Sequence, residues 1–227
     1  MNSSKSKALA LCAVSAALAV SCGKRNGKGT PDAGRRNVVF APGATEHRVD
    51  TSTSTVSLSV MGGIDPGSTV SAGLTLRGGA LSLSNASVPA ARFFVDLTSF
   101  DSHLPIRNER VKQVFFETTG GGGESAEIVV QRLPEDALAK LRARKLVAGS
   151  KTEADLVIHG RTSKITLSIE AGYNERGALW VKTSTPVLVN IADLGMSENK
   201  KKLMATCLHD RIDDVVKIEA SLEFTPQ

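Results

Sequence analysis

From about residue 47 onward, apolar residues recur at every second position. Val56, Leu58 and Val60 alternate with Ser57 and Ser59; Phe93, Val95 and Leu97 alternate with Phe94 and Asp96. Ala154, Leu156 and Ile158 alternate with Asp155 and Val157, and Ile165, Leu167 and Ile169 with Thr166 and Ser168. Shorter runs fall at Leu74 and Leu76, Leu81 and Leu83, Ile128 and Val130, and Val187, Val189 and Ile191. The last run is the longest: Val216, Ile218, Ala220, Leu222 and Phe224. Successive side chains of a strand point to opposite faces, so each run predicts a strand with one buried and one wet face. Together they predict an antiparallel sheet with a single core side. Turn residues divide the runs at Asp65-Pro66-Gly67, Gly78-Gly79 and Asn174 to Gly177. Eight or nine such segments escape open edges only by closing on themselves. The predicted fold is therefore all-β, an eight-stranded antiparallel barrel, a size whose interior is filled by side chains or holds one small ligand.

Two or three short helices interrupt the pattern. Pro134 to Lys145 carries Glu135 and Asp136 in its first turn and Arg142, Arg144 and Lys145 in its last, the order that suits the helix dipole. Ser197 to about Leu208 reads as a helix capped by Ser197, with Leu203, Met204, Cys207 and Leu208 on one face. A third spans Arg107 to Gln113. The Gly120 to Gly123 run lacks a following Lys-Ser/Thr pair, and Glu124 would repel phosphate, so it reads as a strand connection rather than a phosphate loop.

The N-terminus has a different pattern. Lys5 and Lys7 precede thirteen almost wholly apolar residues, Ala8 to Val20. As a helix these rise about 20 Å, short of a hydrocarbon core of about 30 Å. Residues 1–21 are expected to be a signal peptide. Leu18-Ala19-Val20-Ser21-Cys22 resembles the lipobox of bacterial lipoproteins, although Ala19 stands where a larger aliphatic residue is usual. The resemblance implies an acylated Cys22 as the first mature residue and export to the periplasm. Gly23 rather than Asp after that cysteine favours the outer membrane. Residues 22–46, rich in Gly, Pro and charge, read as a flexible tether. Its lysines and arginines either meet anionic headgroups or belong to a solvated spacer. Residues 47–227 form the body.

Charge and cysteines narrow the partners. The chain has 28 basic and 23 acidic residues; removing residues 1–21 takes Lys5 and Lys7 and leaves 26 against 23, a charge of +3. With aromatics at 4%, little remains for nucleic acid to bind. Cys12 leaves with the signal peptide. Acylation of Cys22 leaves Cys207 alone, whereas a free Cys22 allows a Cys22–Cys207 disulfide in an oxidising compartment.

Val95 to Glu117, Glu153 to Ile169 and Val187 to Met196, taken in order, resemble the YceI-like family of bacterial periplasmic proteins. Val95 to Glu117 is similar at Ser99, Asp101, Arg107, Phe115 and Phe116. Glu153 to Ile169 is similar at His159, Gly160 and Thr162, in a strand–His-Gly-x-Thr–strand hairpin. Val187 to Met196 is similar at Asp193 and Gly195. The resemblance covers roughly residues 47 to 225. It implies a lipocalin-like barrel that binds an isoprenoid or related amphiphile in its lumen. The residues it points to are Phe93, Val95, Leu97, Arg107, Phe115, Phe116, Leu156, Ile158, His159 and Val189. There are departures. Asn108 and Arg110 occupy the neighbourhood of a family Asp and His, and Thr53, Val56 and Leu58 replace the opening strand's His and Phe.

Two of these residues have a structural alternative. Arg107 either contacts ligand or fixes its loop by bonding carbonyls or Asp101. His159 either contacts ligand or bonds a backbone group beside Gly160. The histidines His47, His103, His159 and His209 show no HxH or HExxH spacing, and no metal or cofactor is expected. Cys207-x-His209-Asp210 lacks a clear fourth metal ligand, and a thiol on an apolar helix face is inert. Three functions then compete: a lipid carrier with a hollow lumen, a structural or protein-interaction module with a packed one, and a hydrolase using Asp193 or His159 as base. The last has no nucleophile beside either residue, so no enzymatic activity is expected.

Overall fold

The computed structural model describes Phe40 and residues 46–63, 67–120 and 123–225. Its strands are β1 (Glu46–Arg48), β2 (Thr55–Gly63), β3 (Thr69–Ser82), β4 (Ala91–Asp101), β5 (Ser125–Val130), β6 (Val147–Ile158), β7 (Arg161–Tyr173), β8 (Leu179–Thr183), β9 (Val187–Asn190) and β10 (Arg211–Glu223). Among the described residues, every pairing between these strands is antiparallel. The order β3-β2-β10-β8-β7-β6-β5-β4 closes on itself through β3 and β4, giving the expected barrel of eight staves.

Two staves are built from two pieces. β1 and β2 lie along the same neighbour, β3, at Ala80–Ser82 and Thr69–Leu74. β8 and β9 do the same on β10, at Ser221–Glu223 and Val215–Ile218. Period-two alternation therefore holds, but the segment count from sequence needs correcting. Gly78-Gly79, read as a turn, lies inside β3, so Leu74 through Leu81 belong to one strand. The two glycines sit where the β3–β4 register slips. At Gly79 (φ +156°) an added Cβ would fall 2.5 Å from Phe93 Cδ1 and 2.8 Å from the Arg92 carbonyl oxygen, so only glycine lets the backbones approach at this bend.

The helices close the two ends. α2 (Glu135–Arg142) buries Ala137, Leu138 and Leu141 at the end where β5 stops and β6 starts, and Arg142 Nε donates to the Leu83 carbonyl at 2.7 Å. At the opposite end, α1 (Pro105–Arg110) runs into a single π-helical turn, Val111–Phe115. It packs beside α3 (Ser197–Cys207), and Asn199 Nδ2 donates to the Phe115 carbonyl at 2.9 Å. Two expectations about α3 are corrected. Ser197 does not cap it; the buried Met196 holds the N-cap position, and no side chain bonds there. Leu208 does not join the apolar face; it ends the helix in a left-handed conformation (φ +54°) with its side chain 84% exposed.

Candidate ligand-binding lumen

The barrel is hollow. On β10, Val216, Ile218 and Ala220 point inward yet stay half-exposed, as do Leu58 and Val60 on β2. In a packed barrel those positions would be buried; here they face empty space. An upper cavity of about 160 Å³ lies beneath α1, the π turn and α3. A lower one of about 100 Å³ extends toward α2. Ile128, Leu156 and Ile218 belong to both walls, so the cavities are neighbours along the barrel. Both walls are almost wholly carbon.

Alternation builds this wall. Phe93, Val95 and Leu97 project inward from β4, while Asp96 projects outward to Arg77 at 3.0 Å. Beyond Leu97 the strand slips register and Phe100 turns inward. Ser99 sits in that slip, its hydroxyl donating to the Asp96 carbonyl at 2.6 Å and accepting from the Thr75 N–H at 2.8 Å. The following loop is clipped from both sides. Asp101 accepts from the His103 N–H and from Asn108 Nδ2, both at 2.8 Å. Asn108 Oδ1 accepts from the N–H and hydroxyl of Ser102 at 2.8 and 2.7 Å. The His103 N–H, then the Asn108 amide, hold the Asp101 carboxyl below its usual range. Asn108, one of the departures from the family pattern, thus anchors the start of α1 over the mouth.

Most of the residues singled out from the sequence converge. Val95, Leu97, Phe116, Leu156, Ile158 and Val189 are buried on the upper wall, with Phe115 half-buried beside them. Phe115 and Phe116 meet edge to face at 5.1 Å, and Phe116 meets Phe100 at 5.9 Å, forming an aromatic cluster under α1. Phe93 lines the lower cavity instead, edge to face with Phe224 at 6.2 Å. Arg107 lines the upper wall, and among the described residues its side chain has no hydrogen-bond or ion-pair partner. The loop-fixing bond to Asp101 does not form; Oδ1 of that carboxylate accepts from Asn108 and the His103 N–H instead.

His159 lines neither cavity. It and Gly160 form the two-residue β6–β7 turn, both at positive φ (52° and 72°), as the hairpin motif implies. The expected backbone bond is absent: Nε2 is buried without a partner among the described residues. The ring rests against Gly123, where an added Cβ would lie 2.5 Å from it. Cys22 lies outside the described residues. On the helix side of the upper cavity, Leu203 and Cys207 were visible as part of an apolar face in sequence but not as a cavity wall, and Met196 was not part of that face. Lys200 also lines it, bonded to Asp214 and to the Ile212 carbonyl.

Comparison with known proteins agrees with this architecture. The YceI-like domain profile matches residues 47–224. No curated protein sequence matches the chain. Among solved structures, a polyisoprenoid-binding domain from Saccharophagus degradans implicated in plant cell wall breakdown superposes with a TM-score of 0.64 at 18% identity, over 80% of this chain and 98% of that one. BcnA of Burkholderia cenocepacia gives 0.49 at 16% identity over 78% and 99%. The YceI protein of Campylobacter jejuni gives 0.45 at 12% identity over 85% and 91%. With the profile spanning the whole barrel from β1 to β10, the chain belongs to the YceI-like domain family.

Proposed function

We propose that this protein is an exported, lipid-anchored carrier that holds an isoprenoid or other long-chain amphiphile in its barrel, and that it is not an enzyme. The observation that carries this reading is the hollow lumen, two adjoining carbon-walled cavities where an interaction module would have a packed interior. A chain laid through them gains about 0.8 kcal/mol per buried methylene without any specific polar contact. Binding of a polyisoprenoid by the Saccharophagus degradans relative supports the same ligand class. The lipobox-like stretch ending in Cys22 supports export and the lipid anchor, and Gly23 in place of Asp after it supports the outer membrane.

The test is native mass spectrometry of the Cys22→Ser protein recovered from a bacterial periplasm, followed by organic extraction. A stoichiometric adduct removed by extraction is the expected result, and its mass names the ligand class. A protein that is empty on isolation and stays empty with isoprenols and fatty acids refutes the carrier.

A further inference from the structure

Arg107 places a guanidinium with no protein counter-charge among the described residues at the edge of a carbon-lined cavity. Two formally charged residues, Arg107 and Lys200, line the upper wall, along with His209, and no Asp or Glu does so among the described residues. Lys200 is satisfied by Asp214 and the Ile212 carbonyl. The carboxylates nearest Arg107 in sequence are engaged elsewhere. Asp101 takes the His103 N–H and Asn108, Glu109 takes Gln113 Nε2 at 3.2 Å, and Glu117 faces Lys202 at 3.9 Å. Because the wall is almost wholly apolar, Arg107 shows it the aliphatic stem and carries its charge to the rim.

That position suits one kind of head. A guanidinium offers five donors in a planar fork that matches the two oxygens of a carboxylate or phosphate. A neutral alcohol or amide leaves most of the fork to water. From the free fork above an apolar chamber we infer that the ligand is an amphiphile with an oxyanion head, a carboxylate or a phosphate monoester, paired with Arg107 while its chain occupies the lumen. This rests on the carrier reading and adds the chemistry of the head to it. The bidentate, charge-assisted pair forms at a half-buried rim, where screening is weaker than on an open surface.

The experiment displaces a neutral, apolar naphthylamine dye from the full chain with two matched pairs, hexadecanoate against hexadecanol and farnesyl phosphate against farnesol. Each anion should bind about tenfold more tightly than its alcohol, the size of one charge-assisted hydrogen bond. Arg107→Gln should erase that difference and leave the alcohols within about twofold, Arg107→Lys should keep part of it, and added salt should weaken the anions alone. A preference within one pair only identifies the carboxylate or the phosphate as the head. Equal binding of anion and alcohol in the unmodified protein, or equal losses for both in Arg107→Gln, overturns the assignment of the head and leaves the carrier standing. Failure of the dye and all four competitors to bind overturns both.

Discussion

Ile128 on β5 and Leu156 on β6 are direct cross-strand partners, and both belong to the wall of the upper and the lower cavity. With Ile218 from β10, they form the waist between the two chambers. A ligand longer than the upper chamber has to pass this point.

Leu156→Phe adds bulk at the waist. Chains that reach the lower chamber should lose the burial of two or more methylenes, an affinity loss of about tenfold or more. Chains short enough to stay above should bind within about twofold of the parent. Dye displacement with eight- and sixteen-carbon acids measures this, and equal losses at both lengths would show that the chambers do not act in series.

His47 on β1 is buried at the join with β3, and burial, then the charge of Arg144, lower its pKa from the ordinary 6.5. Above 6.5 the ring is neutral folded and unfolded, and it contributes nothing to pH dependence. Below 6.5 the unfolded chain takes up a proton that the folded one resists, so stability should fall as pH drops from there toward the folded pKa. Thermal melts of the parent and His47→Gln between pH 7.5 and 5.5, roughly a unit either side of the free-imidazole value, should show a shallower slope in the variant.

How much of this was legible beforehand follows from what alternation encodes. The two-residue period puts Val95, Leu97, Leu156, Ile158 and Val189 on a buried face, because that period fixes the face a side chain takes; that this face lines a ligand-binding lumen is what the family resemblance implies. Gly78 and Gly79 were misread because a glycine pair is common both in a turn and at a bend within a strand; only the approach of β4 to β3 separates the two. β8 was missed because Leu179–Thr183 is five residues long between turn-forming stretches. Hollowness itself had no signal in the sequence. Val216 and Ile218 look the same whether they face a neighbour or a void.

Gly79→Ala should cost about 2 kcal/mol, since a methyl group meets the Arg92–Phe93 backbone at an overpacked contact and a φ that other residues avoid. Chemical denaturation measures the loss. A neutral result would mean the β3 bend can relax.

His159→Asn keeps a residue that tolerates the left-handed turn and removes the ring. Because His159 touches neither cavity, affinity for a displacing chain should stay within about twofold. A larger loss in the dye assay would return His159 to the ligand site.

Cys22→Ser should abolish incorporation of labelled palmitate in growing cells and move the protein from the membrane fraction to the soluble periplasm. Label that persists in the variant would sink the acylation at this cysteine.

β1 sits on Ala80–Ser82, at the end of the barrel covered by α2, and α1 and α3 cover the other end. The molecule therefore has a heading: its N-terminal side and the aromatic cluster under α1 lie at opposite poles. A chain that enters beneath α1 would come to rest with its far end toward β1 and α2 and its head beside the aromatic cluster.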